Sequence, residues 1–146
     1  MNVFLGIDYG TKRVGIAVSD ESGRLAFPKK VVPQSPMLLE VIQLFAEEAN
    51  AQGVVLGESR DLSGRPNPIF DEIKRFGDSV AERTGLPVAY EPEYWTSQEA
   101  RKTQGMTDMN DASAAALILQ RFLDKRTEAV RKNEAEEDSD GGHIFL

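Results

Sequence analysis

Asp8, Glu93 and Asp111 are the residues of this 146-residue chain whose types and placement point to chemistry. Asp8 ends an apolar run from Val3 to Ile7, Glu93 follows a second run from Leu86 to Tyr90 through Glu91 and Pro92, and Asp111 opens an alanine-rich stretch. In an open sheet, ligands gather beyond the carboxyl ends of the strands. Three carboxylates brought together there repel one another unless cations neutralise them. Mg²⁺ or Mn²⁺, hard ions that favour carboxylate oxygen, would do so. The chain has no cysteine and one histidine, which excludes a thiolate nucleophile, a disulfide framework and Cys- or His-rich zinc sites, so any metal must be held by oxygen.

Positioning these carboxylates falls to an α/β pattern. Val3 to Ile7 and Val14 to Ser19 read as two strands of a hairpin around the polar turn Asp8 to Arg13; Leu25 to Val32 adds a third, with Pro28 marking an edge or irregularity. The period then becomes helical. Ser35 is placed to cap a helix with Pro36 at its first position, and Leu38, Val41, Ile42, Phe45 and Ala49 share one face. Val54 to Gly57 is a short buried strand, Glu58 to Asn67 a loop, and a second helix from Pro68 buries Ile69, Ile73, Phe76 and Val80 before a cap at Gly85. After the strand Leu86 to Tyr90 comes a short helix from Thr96 to Gly105, then a last helix from Asn110 or Asp111 to about Arg126 or beyond. The order βββαβαβαα predicts a mixed five-stranded sheet, an antiparallel meander followed by βα units, with helices on both faces. Ala112, Ala114, Ala115 and Ala116 would let the last helix approach the sheet closely.

Gly6-Ile-Asp8-Tyr-Gly10-Thr-Lys12-Arg13-Val-Gly15-Ile-Ala-Val-Ser-Asp20 resembles the opening motif of the YqgF family, the pre-16S rRNA nucleases also described as Holliday-junction-resolvase-like proteins. Asp111-Ala-Ser-Ala-Ala-Ala-Leu-Ile-Leu is similar to that family's closing motif, and the resemblance covers residues 1 to about 125. It implies a ribonuclease-H-like fold and a catalytic triad of acids with Asp8 and Asp111 in the first and last positions. The middle motif departs. Where the family shows Asp-Glu-Arg, a hydrophobic residue and two hydroxyl residues, this chain has Pro92-Glu93-Tyr94-Trp95-Thr96-Ser97, and the spacing favours Glu93 over Glu91. The family's Gly-Leu-Pro becomes Gly57-Glu58-Ser59, and its often basic segment before the last aspartate becomes Met106 to Asn110. The implied mechanism is two-metal hydrolysis, with Asp8 ligating both ions and Glu93 and Asp111 completing the coordination.

Lys12, Arg13, Arg60, Arg65 and Arg101 are the expected phosphate contacts, although charged loop residues are more often simply solvated. Tyr94 and Trp95 are of the type that stacks unpaired bases, with ordinary packing the commoner role. The net charge of −7 opposes nonspecific attraction to nucleic acid; residues 124–146, with seven acidic and four basic side chains, carry part of it. Domain organisation is read as residues 1–126 forming the nuclease domain and 127–146 an acidic, disordered tail, with a loose Ile144-Phe145-Leu146 end and no partners near His143 for metal binding. At 40% apolar and 28% charged, the body is neither disordered nor fibrous. With no basic stretch ahead of the first apolar run and no run near the roughly 20 residues of a membrane span, a cytoplasmic protein is expected.

The expected activity is hydrolysis of phosphodiester bonds in structured nucleic acid, precursor 16S ribosomal RNA first and branched DNA as the alternative. Two rivals stand beside it. Asp-x-Gly-Thr openings also resemble the phosphate motif of actin-like ATPases, but those need two such domains around a nucleotide. A catalytically weakened RNA-binding or ribosome-assembly protein would suit the altered middle motif and acidic charge, against the retention of three carboxylates.

Overall fold

The computed structural model describes residues 2–60, 69–94 and 108–144, with side-chain surroundings for residues 2–58, 69–92 and 112–135. The elements are β1 (Phe4–Tyr9), β2 (Arg13–Ser19), β3 (Ala26–Pro33), α1 (Leu38–Ala49), β4 (Gly53–Arg60), α2 (Phe70–Thr84), β5 (Val88–Tyr94) and α3 (Asp108–Ile144). The strands form one sheet in the order β3-β2-β1-β4-β5. β1, β2 and β3 pair antiparallel, while β4 runs parallel to β1 and β5 parallel to β4. This is the mixed sheet expected from the element order, and β3, which carries Pro28, is indeed an edge.

Alternation along the strands divides the interior into two layers. Leu5, Ile7, Val14, Ile16, Val54 and Leu56 face α1 and α2, meeting Leu38, Ile42, Ala46, Ile73 and Val80. On the other face Ala17 and Val55 meet Ala115, Ile118, Leu119 and Leu123 of α3, with Phe4 edge-on to Phe122 at 5.5 Å between ring centroids. α2 ends at Gly85, whose φ of 71° is left-handed and whose N–H donates to the Ala81 carbonyl, a conformation glycine adopts without a Cβ penalty.

Several boundaries move. β1 runs through Asp8 to Tyr9, because Asp8 and Tyr9 still pair with Gly15 and Val14, so the hairpin turn shrinks to the residues between β1 and β2. β4 continues past Gly57 to Arg60 and β5 past Tyr90 to Tyr94, since each supplies the other's ladder from Gly57↔Glu91 to Arg60↔Tyr94. α1 begins at Leu38; Ser35 lies a turn earlier, its hydroxyl accepting the Met37 N–H at 3.2 Å. The last helix is the largest correction. It starts at Asp108 and continues beyond Arg126 to Ile144, with residues 128–135 exposed. From Glu128 to Glu137 Glu, Lys, Arg and Ala are good helix formers, and Glu128 stands four residues before Lys132, so local propensity favours helix there without tertiary burial, whereas Asp138 to Gly142 are poor helix formers and propensity does not account for the last turns. The short helix expected from Thr96 to Gly105 lies outside the described residues. No helix among the described residues is long and apolar enough to cross a membrane.

Candidate active site

Asp8, the fifth residue of β1, is partly buried and lies on the face of Phe4 and Gly6, the face covered by α3. Gly6 allows α3 to come this close. A Cβ at position 6 would lie 2.7 Å from the Leu119 Cβ and 2.9 Å from the Ala115 carbonyl oxygen, separations that a real side chain does not tolerate. Ala115 and Leu119 thus cross β1 at Gly6, while Phe122 and Arg126 lie against the Phe4 ring. α3 therefore runs opposite to β1. Its first turn, which contains Asp111, extends over the end of β1 where Asp8 stands.

Because β1, β4 and β5 are parallel, their carboxyl ends share one edge of the sheet. Continuing the register Ile7↔Leu56 by one residue sets Asp8 level with Gly57, whose partner on β5 is Glu91. Glu93 pairs with Ser59, two residues closer to the edge, and Arg60 ends β4 opposite Tyr94. The side chains of Glu93, Asp111 and Arg60 lie outside the described residues, as do Arg65 and Arg101 entirely. Lys12 and Arg13 are exposed at the β1–β2 hairpin. That tip is held from β3's end by Gln34, whose amide Nε2 donates to the Gly10 carbonyl and whose N–H donates to the Lys12 carbonyl, both at 2.9 Å.

Tyr9, next to Asp8, faces the opposite layer and stacks on Phe76 at 4.6 Å. Burial, then the Glu72 carboxylate, raises its phenol above the usual tyrosine range. Two glutamates near this edge are buried, and the sequence gives no warning of how. Glu58 meets Lys74 Nζ at 3.4 Å, an ammonium that also lies 3.8 Å from the Tyr90 ring centroid. Glu91, weighed in the sequence only as a rival to Glu93, accepts from Lys125 Nζ at 2.6 Å. Glu91 is thus committed to an ion pair on the α3 face of the sheet. Lys74 and Lys125 had no sequence signal, because each pairs across elements.

Among the described residues no three acidic or histidine side chains form a metal-binding group, and Glu93 and Asp111 stand outside that set. The donor chemistry at the edge is carboxylate oxygen, the set that hard divalent cations favour.

Residues 2–125 match the family model described as RuvX: Holliday junction resolvase. The chain belongs to the RuvX family. Curated relatives named "Putative pre-16S rRNA nuclease" include proteins of Burkholderia multivorans, 36% identical over 132 residues (83% of this chain, 88% of the relative), and Oenococcus oeni, 33% identical over 135 residues (84% and 94%). This RuvX-family chain is thus a nuclease-family member, a phosphodiester hydrolase by descent. Among solved structures, Thermus thermophilus RuvC in complex with a Holliday junction substrate aligns with a TM-score of 0.54 at 18% identity, covering 87% of this chain and 96% of that one. The fowlpox virus Holliday junction resolvase aligns at 0.52 and 12%, covering 84% and 99%. Both likenesses concern the fold, the ribonuclease-H-like architecture of the RuvX family.

Proposed function

We propose that Asp8, Glu93 and Asp111 form a divalent-metal site that hydrolyses phosphodiester bonds in structured nucleic acid, with precursor 16S ribosomal RNA as the substrate. The observation that carries this reading is the crossing of α3 over β1 at Gly6, which brings the first turn of α3 to Asp8. Glu93 belongs to the same edge by register. Two strand spacings and two residues of rise separate the Asp8 and Glu93 backbones by roughly 12 Å, a span suited to carboxylates reaching toward a pair of ions about 4 Å apart. Bound Mg²⁺ or Mn²⁺ would supply charge neutralisation and Lewis acidity at the scissile phosphate.

The chain's own groups have distinct tasks. Asp8 stands on β1, a central strand with β2 and β4 on either side, and would anchor the site. Asp111, in the first turn of a helix, is favoured there as an anion by the helix dipole. Lys12 and Arg13, on a tip tied down by Gln34, would hold a phosphate next to Asp8 with little ordering cost. Arg60, Arg65 and Arg101 would extend that contact along the backbone of the substrate.

The deciding experiment offers wild type and Asp8→Asn a panel of precursor 16S RNA fragments and four-way DNA junctions with Mg²⁺, Mn²⁺, Ca²⁺ or chelator. Cleavage of the precursor RNA by wild type with Mg²⁺ or Mn²⁺, binding without turnover in Ca²⁺, and no cleavage in chelator are expected. The family description favours a second reading, junction resolution, and preferential cutting of the DNA junction would establish it. Tight RNA binding without cleavage by wild type would mark an assembly protein instead.

A further inference from the structure

We propose that the Lys125–Glu91 ion pair is a positioning device that sets β5 against α3 and thereby fixes the separation of Glu93 and Asp111; this rests on the three-carboxylate reading above. The apolar layer under α3 draws on Phe4 of β1, Ala17 of β2, Ala26 of β3 and Val55 of β4, and among the described residues it includes nothing from β5. β5 is an edge strand, laddered to β4 alone. Where apolar packing gives out, the ion pair takes over. Lys125 reaches from α3 to Glu91 with an Nζ–Oε2 distance of 2.6 Å.

The two ends of the pair are unequal. The Glu91 side chain is 4% exposed and Lys125 64% exposed. A carboxylate buried that deeply is unfavourable unless compensated, so Glu91 is drawn to wherever the ammonium stands. Lys125 keeps most of its hydration and loses little by reaching over. Glu91 is two residues from Glu93, so any displacement of the one carries directly to the other. Asp111 is held independently, since Ala115 and Leu119 clamp α3 on Gly6. An edge strand twisting about its single ladder would change the Glu93–Asp111 spacing, and supporting shells of metal sites tolerate displacements of only about 0.5 Å.

The test measures Mn²⁺ uptake by the isolated protein, counting free Mn²⁺ by electron paramagnetic resonance, together with thermal unfolding, for wild type, Lys125→Met, Lys125→Arg and the double variant Glu91→Gln/Lys125→Met. Positioning predicts that Lys125→Met weakens Mn²⁺ binding roughly tenfold, as loss of outer-shell partners does. Lys125→Arg should recover most of that affinity. The double variant should regain the thermal stability lost in Lys125→Met, having no unpaired buried carboxylate, and yet stay weak for Mn²⁺. Mn²⁺ affinity that follows stability across all four proteins, or a Lys125→Met variant that binds as wild type does, would overturn the inference. Wild type that takes up no Mn²⁺ would overturn the three-carboxylate site itself and the inference with it.

Discussion

Asp8 and Gly6 share a face of β1, and the pair explains why substitution at each should read out differently. Asp8→Asn removes a charged ligand at nearly constant volume, so hydrolysis should fall on the order of 10²-fold or more while the unfolding midpoint is retained. Parallel kcat and thermal-denaturation measurements check both halves. Gly6→Ala does the reverse. Its new methyl would press on Leu119 and the Ala115 carbonyl, backbone and side chain at once, and the resulting overpacking should cost about 1–3 kcal/mol in urea unfolding. Activity should fall with it, because lifting α3 from β1 moves Asp111 without touching any carboxylate.

The turn between β2 and β3 offers a test at the level of an element. Asp20 accepts the Arg24 N–H at 2.9 Å, the Leu25 N–H at 3.2 Å and the Ser22 hydroxyl at 2.9 Å. These bonds, the Arg24 N–H foremost, hold its carboxyl below the usual range against the opposing effect of desolvation. A carboxylate whose folded value is depressed stabilises above its unfolded value, and the contribution disappears as the pH falls through the folded one. Asp20→Asn should therefore lower the midpoint at pH 7, and the gap from wild type should close as the pH drops below about 4. Midpoints measured between pH 7 and 2.5 decide it; a gap constant with pH would show that the turn depends on shape and not on charge. The turn matters to α3, since Gln120 accepts the Ala26 N–H at 2.9 Å and donates to the Arg24 carbonyl at 2.7 Å, tying the helix to the far end of the same loop.

For the whole molecule, the distinction is between the helix that packs and the helix that projects. α3 buries Ala115, Ile118, Leu119 and Leu123, and then runs exposed from Glu128 to Ala135. Past Arg131 the charge is mostly negative, through Glu134, Glu136, Glu137, Asp138 and Asp140. We propose that this extension repels the substrate at long range. Truncation after Arg131 should leave thermal stability nearly unchanged and tighten RNA binding at low ionic strength, with the difference fading as salt shortens the screening length to about 10 Å at 0.1 M. Filter binding across a salt series measures it. Loss of folding would show that the closing Ile144-Phe145-Leu146 supports the domain.

Local patterning along the chain already carries much of this fold. The order of strands and helices, Pro28 on an edge, Asp8 at the end of the first strand and the alanine-lined approach of the last helix follow from periods of two and 3.6 and from side-chain size. Family membership was likewise legible, because the motifs around Asp8 and Asp111 are contiguous. Where strands stop and which charges meet depend instead on contacts between distant parts of the chain. Glu58 to Arg60 look like loop in isolation, yet the strand continues because β5 satisfies their backbone and Lys74 compensates the buried Glu58. Glu91 and Lys125 are 34 residues apart and meet at 2.6 Å. A buried carboxylate depends on the position of its counter-ion in space, and no spacing along the chain encodes that position.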